Sequence, residues 1–163
     1  MTSNGQDLKS VAATLYLEMN RCIKVGNLKA FKEAIAVVKE ILQRGELPGF
    51  LEKLATLKDQ RLERNLLHVA AAYACKEDDA RFFISLLDLG FPLYEEDRQG
   101  DFAGFLIADI RGDGVYLEAF DALIQVGFDL AKKSKPPRSQ TFISRLYQSN
   151  YVSVQKMKAM LRT

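Results

Sequence analysis

The apolar residues between Asp7 and Gly26 recur at intervals of three and four, which is the spacing of one face of an α-helix. Beyond Gly26, Asn27 is a suitable N-cap for a second helix, whose apolar residues follow the same period as far as Gly45. A glycine ends each helix, and only a short turn separates the two. The pattern predicts a long αα-hairpin near the start of the chain.

Downstream of this hairpin, the helical segments become shorter and alternate with connections rich in glycine, proline and charge. A short third helix is predicted to begin at Pro48, because proline suits the first position of a helix. Three helix pairs follow, which are Asn65 to Ala74 with Ala80 to Leu89, Phe105 to Ala108 with Tyr116 to Val126, and Gln140 to Gln148 with Tyr151 to Leu161. The pattern as a whole predicts an all-α fold.

The last of these pairs is predicted to bury one face of each helix against the rest of the chain. On that face lie Ile143 and Tyr147 of the first helix and Val154 and Leu161 of the second. Lys156 is assigned to the opposite face, where its charge is expected to keep the end of the chain soluble.

An eight-residue pattern occurs twice in the chain. Residues 86–93 and residues 123–130 both read Leu, aliphatic, polar, aliphatic, Gly, Phe, variable, Leu. An interval of roughly 35–40 residues between copies is typical of a solenoid built from stacked supersecondary units. In each copy the glycine falls just after an apolar helix, where the chain turns with a positive φ.

The segment upstream of the first copy identifies a family resemblance. Residues 65–71 read Asn-Leu-Leu-His-Val-Ala-Ala and resemble the ankyrin signature Thr-Pro-Leu-His-x-Ala-Ala. With the helix pair and glycine that follow, the resemblance covers Leu62 to Leu130. The chain departs from the signature at Asn65 and Leu66, and the second unit has Leu106 in place of the histidine.

The resemblance implies a short ankyrin-like solenoid of about four helix pairs. Residues 1–163 form a single domain in this interpretation. Residues 7–58 are an N-terminal helical cap, residues 59–97 and 98–131 are two ankyrin-like repeats, and residues 139–163 are a C-terminal capping helix pair. Phe91 to Gly100 occupies the place of the family's β-hairpin finger. An alternative for the long N-terminal hairpin is that its apolar stripe pairs with a second copy to form a dimer.

Ankyrin arrays bind protein partners on a concave face formed by inner helices and finger loops, so the resemblance implies a non-catalytic protein-protein interaction module. The family's contact positions correspond here to Arg61, Arg64, Tyr73, Arg98, Gln99, Phe102 and Arg111. Two of these have a structural alternative. Tyr73 can instead cap its helix by packing on Phe105 or its neighbours, and Phe102 can be buried. Alternative functions are a dedicated inhibitor or immunity-type protein that neutralises one enzyme or toxin, and an enzyme on a helical scaffold.

Composition narrows the classes of protein that are open. The chain has 163 residues, is 48% hydrophobic and carries a net charge of +2, which suits a folded domain and does not point to nucleic acid. The cysteines Cys22 and Cys75 are expected to be reduced thiols. We expect a cytoplasmic monomer with no membrane segment and no cofactor.

The candidate chemical groups are few. His68, the one histidine, is expected to be structural, with its ring tying the loop to the start of its own helix. It cannot build a multi-histidine metal site, and no metal site is expected. Asp109 and Asp113 give a weak acid/base pattern without a histidine or lysine beside them. Two charged clusters remain. The acidic cluster is expected to be a solvated loop rather than a calcium site, and consists of Glu95, Glu96, Asp97 and Asp101. The basic segment Lys132 to Arg138 is expected to be a solvated loop rather than a nucleic-acid site.

Overall fold

The computed structural model describes residues 4–163, and within them the prediction of an all-α fold is confirmed. No strand forms in this part of the chain; a single isolated antiparallel bridge joins Glu96 and Phe102. The helices are α1 (Asn4–Val25), α2 (Leu28–Arg44), α3 (Phe50–Thr56), α4 (Leu66–Glu77), α5 (Arg81–Leu89), α6 (Ala103–Leu106), a 3-10 turn (Ile107–Asp109), α7 (Asp113–Gln125), α8 (Phe142–Gln148) and α9 (Val154–Leu161).

The N-terminal hairpin has the turn that its sequence predicts. The side chain of Asn27 caps α2 by accepting a hydrogen bond from the backbone N–H of Ala30 at 3.1 Å. Gly45 ends α2 in the left-handed region, at φ 66°. The predicted start of α3 is wrong by two residues, because Pro48 lies in a turn and Gly49, at φ 79°, separates it from the first helical residue.

The helices pack as two rows of neighbours. One row consists of α1, α4, α6 with its 3-10 turn, and α8, in which each helix contacts the next. The second row consists of α2, α5, α7 and α9, also in contact one after another, while α3 packs against α1 and α2. The core includes eight fully buried phenylalanines, which are Phe31, Phe50, Phe82, Phe83, Phe102, Phe105, Phe120 and Phe142.

The helix pair α4–α5 is tied to its surroundings through His68. The side chain of Asn65 accepts the N–H of His68 at 3.0 Å, and the Nδ1 atom of His68 accepts the N–H of Asn65 at 3.3 Å. The other ring nitrogen, Nε2, donates to the carbonyl oxygen of Asp101 at 2.8 Å, just before α6. The expected structural role of His68 at the start of its own helix is therefore confirmed, and the ring also reaches the next helix pair.

The following pair, α6 and α7, differs from the prediction at its turn. The second helix of this pair was predicted to begin at Tyr116, but α7 already begins at Asp113. The backbone N–H of Gly112 donates to the Oδ1 atom of Asp78 at 3.0 Å, which holds the start of α7 against the end of α4. The first helix of this pair is short because it passes into a 3-10 turn after Leu106.

The connection before α6 is a compact turn rather than a β-hairpin of two strands. Its centre is Asp97, whose Oδ1 atom accepts the N–H groups of Gln99 and Asp101 at 2.9 and 3.0 Å. Both aspartates are buried, so the expectation of a fully solvated acidic loop is wrong for Asp97 and Asp101. Because Asp101 is buried near the charge of Asp97, the pKa of its carboxyl is raised.

The C-terminal pair, α8 and α9, contradicts several predicted orientations. Ile143, Tyr147, Val154 and Leu161 are exposed to between 40% and 80%, although all four were expected to face inward. Lys156 is fully buried instead of solvated. These helices have only 7 and 8 residues, and each buries a single narrow face against the preceding pair.

The ammonium group of Lys156 takes the place of a helix cap. Its Nζ atom donates to the carbonyl oxygens of Ile110 and Ala108, at the end of the 3-10 turn, and lies 4.9 Å from the centre of the Tyr116 ring. A cation at the carboxyl end of a helical segment is electrostatically favourable. Burial nevertheless lowers the pKa of Lys156.

Candidate partner-binding groove

One face of α4 stays partly open to solvent from its first turn to its last. Val69, Ala72, Tyr73 and Lys76 occupy positions i, i+3, i+4 and i+7 of this face. Together they line a cleft of about 400 Å³. Ala72 and Lys76 also line a second cleft of about 490 Å³, and Ala72 a third of about 180 Å³. The three clefts share these residues and so lie side by side over α4; we call them together the central groove.

The walls of the central groove come from different helix pairs. Lys24 at the end of α1 and Arg64 before α4 stand at one end. Arg111 and Tyr151 stand at the other end, which is formed by the connections after the 3-10 turn and after α8. The groove therefore crosses from the N-terminal hairpin to the C-terminal pair over the face of α4.

The seven predicted contact residues separate into three groups. Arg64, Tyr73, Gln99 and Arg111 line the central groove. Arg61 and Arg98 are exposed but do not line the groove. The guanidinium group of Arg98 donates to the carbonyl oxygen of Gln60 at 2.8 Å, so this side chain holds the loop before α4.

Phe102 does not offer a surface to a partner, and its assignment as a contact residue is wrong. It is 2% exposed, and its ring centre lies 4.7 Å from that of Phe105 and 5.3 Å from that of Tyr94. The residue directly precedes α6, and its ring joins the aromatic core rather than the finger surface. Burial of the phenyl ring explains why a large apolar residue is placed at the end of a polar turn.

Tyr73 is partly buried, and it packs on a different neighbour from the one expected. Its ring centre lies 5.0 Å from that of Phe82 in an edge-to-face arrangement, not against Phe105. Its hydroxyl approaches the backbone of Gly26 so closely that a Cβ added there would lie 2.7 Å from the oxygen. Tyr73 therefore lines the groove and also supports the fold, and replacing it with alanine would disturb both.

Several groove residues were missed from the sequence, among them Ala72, Lys76 and Tyr151. Lys76 lies three positions after the predicted Tyr73, so helical spacing could have found it. Tyr151 belongs to the C-terminal pair, and no local pattern relates it to Arg111. The Nε atom of Arg111 donates to the Tyr151 hydroxyl at 3.1 Å, and the guanidinium carbon lies 5.3 Å from the ring centre.

Two other arginines of the groove are held by carboxylates. Arg145 forms a two-point interaction with Asp109, at 3.2 and 2.7 Å. Arg64 donates to the buried carboxylate of Asp97 at 3.3 Å. These pairs fix the positions of both side chains, because an arginine bonded through its planar group loses little further freedom when a ligand binds.

The Cys75 thiol and the two aspartates of the predicted acidic pair are used in structural contacts. Both cysteines are free thiols, Cys22 buried and Cys75 half-buried. The Cys75 thiol donates to the carbonyl oxygen of Leu106 at 2.9 Å, and burial raises its pKa to about 12, which keeps it protonated at neutral pH. The predicted acidic pair is divided, since Asp109 binds Arg145 and Asp113 accepts a hydrogen bond from Ser153 at 2.9 Å.

Within residues 4–163, no group of three or more His, Cys, Asp or Glu side chains is placed to hold a metal ion. The same residues include no helix with the length and apolar character needed to cross a membrane. No protein-family model, curated protein or solved structure matches this chain.

Proposed function

We propose that the chain is a divergent ankyrin-type repeat array that binds a protein partner in the central groove, without catalysis. The two rows of helices, each contacting the next pair along the chain, agree with a stacked array. Gly90 and Gly127, at equivalent places in the repeated pattern, both have left-handed φ values of 96° and 87°. The bonds of His68 to its own helix and to the next pair are those of a residue that joins stacked units.

The observation that carries the binding proposal is the course of the central groove. Its lining comes from all four helix pairs, and four of the seven contact positions implied by the family resemblance lie in its walls. Tyrosine and arginine side chains, which most often anchor protein interfaces, stand at both ends. A surface built from several successive units is the one that repeat proteins offer to partners.

The absence of a catalytic role is also part of the proposal. Both ring nitrogens of His68 are occupied by structural hydrogen bonds, and the Cys75 thiol is protonated at neutral pH. Asp97 and Asp109 are paired with arginine, and Asp59 accepts the backbone N–H of Leu62. None of these groups is left with the free base or nucleophile that group transfer requires.

We further propose that the protein acts as a cytoplasmic monomer. The apolar stripe of α1 is used inside the chain, since Ala12, Met19 and Ile23 are fully buried. Little of that stripe is left for a second copy to cover. Size-exclusion chromatography with light scattering is expected to give a molar mass that does not change with concentration, and a concentration-dependent dimer would contradict the assignment.

Affinity capture from native lysate, read by mass spectrometry, tests the binding proposal. Ala72 lines all three clefts, so Ala72→Phe is expected to fill the groove without changing its charge. The matched control is Ala36→Phe, which adds the same bulk at an exposed position of α2. A protein captured by the native chain and by the control, and lost with Ala72→Phe, supports the groove. Equal capture by Ala72→Phe, with a native circular dichroism spectrum, refutes it.

A further inference from the structure

Cationic side chains outnumber acidic ones in the lining of the central groove. Its lining includes five cationic and three acidic side chains, which are Lys24, Arg64, Lys76, Arg111 and Arg145, and Asp59, Glu77 and Asp109. Among the described residues, the ion pairs of this set are Arg145 with Asp109 and with the buried Asp101, and Arg64 with the buried Asp97. Lys24, Lys76 and Arg111 have no carboxylate within 4.0 Å in the same part of the chain.

We infer that the occupant of the central groove is an extended acidic segment of the partner protein, whose carboxylates bind Lys76 and Arg111. The inference rests on the proposed function. It adds the chemistry of the partner, and it is argued from the charges, the hydrogen-bond donors and the form of the groove.

The hydrogen-bond donors of the groove are suited to carboxylates. Arg111 is stacked beside Tyr151 and uses only its Nε atom in the bond to the tyrosine hydroxyl, so its two terminal nitrogens are available. A guanidinium group in this state binds a carboxylate through two parallel hydrogen bonds. Lys76 lines the same cleft as Arg111 and supplies a second, more mobile cation. Two acidic side chains on one partner segment can satisfy both.

The form of the groove favours an extended segment over a folded surface. The clefts are small, at about 180 to 490 Å³ each, and they follow one another along a line of shared lining residues. The floor at Ala72 is a single methyl group, which allows a partner backbone to approach α4 closely. A helix has a diameter of about 10 Å or more and would fill this space less closely than an extended chain.

The acidic residues of the groove argue against a nucleic acid as the occupant. Glu77 lies among the cations and is exposed, and Asp59 stands near the opposite wall. A polyphosphate backbone carries a charge at every nucleotide and would meet these carboxylates. A peptide can place an uncharged or basic residue opposite Glu77, so the mixed charges set its register.

Fluorescence anisotropy with the full chain tests this inference. The probe is a short fluorescein-labelled peptide of alternating Glu and Ser, compared with the same peptide carrying Gln for Glu and with a labelled single-stranded thymidine oligonucleotide. The groove variant is Lys76→Glu/Arg111→Glu. The matched control is Lys132→Glu/Lys133→Glu, which makes the same change of charge on exposed residues outside the groove.

We expect the Glu peptide to bind the native chain and the control alike, and the groove variant to raise its Kd by roughly tenfold or more. The Gln peptide is expected to bind weakly to all three proteins. Tighter binding of the oligonucleotide, equal binding of the Gln peptide, or equal loss in the control each overturns the inference. So does the absence of binding to the native chain.

The captured protein separates this inference from the proposed function. A partner that is lost with Ala72→Phe but retained by Lys76→Glu/Arg111→Glu shows that the groove is the binding site and that its occupant is not acidic. A partner retained by both variants refutes the groove itself. Loss with both, but not with the Lys132→Glu/Lys133→Glu control, supports the site and the acidic segment together.

Discussion

His68 is the residue whose replacement gives the sharpest test of how successive helix pairs are joined. The imidazole is fully buried. Its Nε2 atom lies 2.8 Å from the carbonyl oxygen of Asp101, which can only accept, so Nε2 carries the proton and Nδ1 accepts the N–H of Asn65. Replacing His68 with leucine, the residue at the equivalent position of the second unit, removes both bonds at little change in volume.

The two losses differ in size. The N–H of Asn65 is left without a partner in a buried site, which costs about 1–3 kcal/mol. The carbonyl oxygen of Asp101 keeps a second bond, from the N–H of Asp97 at 3.0 Å. Losing the bond from the imidazole therefore costs only about 0.5–1.5 kcal/mol. We therefore expect His68→Leu to lower the free energy of unfolding by about 2–4 kcal/mol.

The pH dependence of stability gives a second readout of the same residue. Burial lowers the pKa of His68 below its ordinary value of 6.5. The unfolded chain therefore binds a proton more readily than the folded chain, and stability is lost as pH falls below 6.5 towards the folded-state pKa. The chain has one histidine, so this contribution is absent from His68→Leu and from His68→Gln.

Urea unfolding followed by far-UV circular dichroism, between about pH 5.5 and pH 7.5, measures both effects. His68→Gln keeps an amide that can donate towards Asp101. At neutral pH it should therefore lower the free energy of unfolding by less than His68→Leu does. The deficit of both variants relative to the native chain should shrink on acidification. A His68→Leu chain within about 0.5 kcal/mol of the native chain, or a deficit that grows at low pH, would refute the reasoning.

Two further pairs of substitutions test the turns on either side of α6, each by urea unfolding at neutral pH. A Cβ at Gly112 would lie 2.6 Å from Oδ2 of Asp78, so Gly112→Ala is expected to break the hydrogen bond between the two residues and lower the free energy of unfolding by about 1 kcal/mol. Gly114 lies in open space within α7, so Gly114→Ala should raise the same free energy by up to about 1 kcal/mol. Equal effects of the two would contradict the contact. Asp97→Asn should cost about 1–2 kcal/mol because its carboxylate accepts three hydrogen bonds, whereas Asp101→Asn, which removes a buried charge with a raised pKa, should cost nothing or stabilise the chain. A larger loss with Asp101→Asn would show that its charge is needed.

Local patterns account for the part of the fold that the sequence predicts well. The period of the apolar residues identifies every helix of the hairpin and of the first pair, because one buried face is enough to determine it. Asn27 and Gly45 act locally, through a cap and a left-handed turn, so their roles are also visible without the rest of the chain.

The errors fall on residues whose environment is set by distant parts of the chain. Lys156 has the spacing of a surface lysine, yet it is buried because its ammonium group binds two carbonyl oxygens that lie 46 and 48 residues earlier in the chain. Phe102 follows a polar turn, and only the approach of other aromatic side chains makes it part of the core. The local sequence pattern around Lys156 and around Phe102 predicts neither environment.

The candidate site divides in the same way. Arg64, Tyr73, Gln99 and Arg111 were reached through the spacing of the family signature, which positions residues relative to α4. The far wall of the groove could not be reached in this manner. Its tyrosine comes from a segment 40 residues beyond Arg111, and only the packing of the last helix pair brings it there.

The second unit has Leu106 where the first has His68, and this difference has a consequence for the far wall. Where His68 reaches forward from the first pair, Leu106 cannot, and the bonds run backwards from the C-terminal pair instead. Ser149 donates to the carbonyl oxygen of Ala108 at 2.9 Å, Lys156 caps the same 3-10 turn, and Arg145 holds Asp109. The C-terminal pair, which supplies these bonds in place of a histidine at position 106, thus also brings Tyr151 and Arg145 to the groove. Stability of the second unit and completeness of the groove therefore depend on the same contacts, so a change that loosens α8 and α9 should weaken binding even when α4 is unaltered.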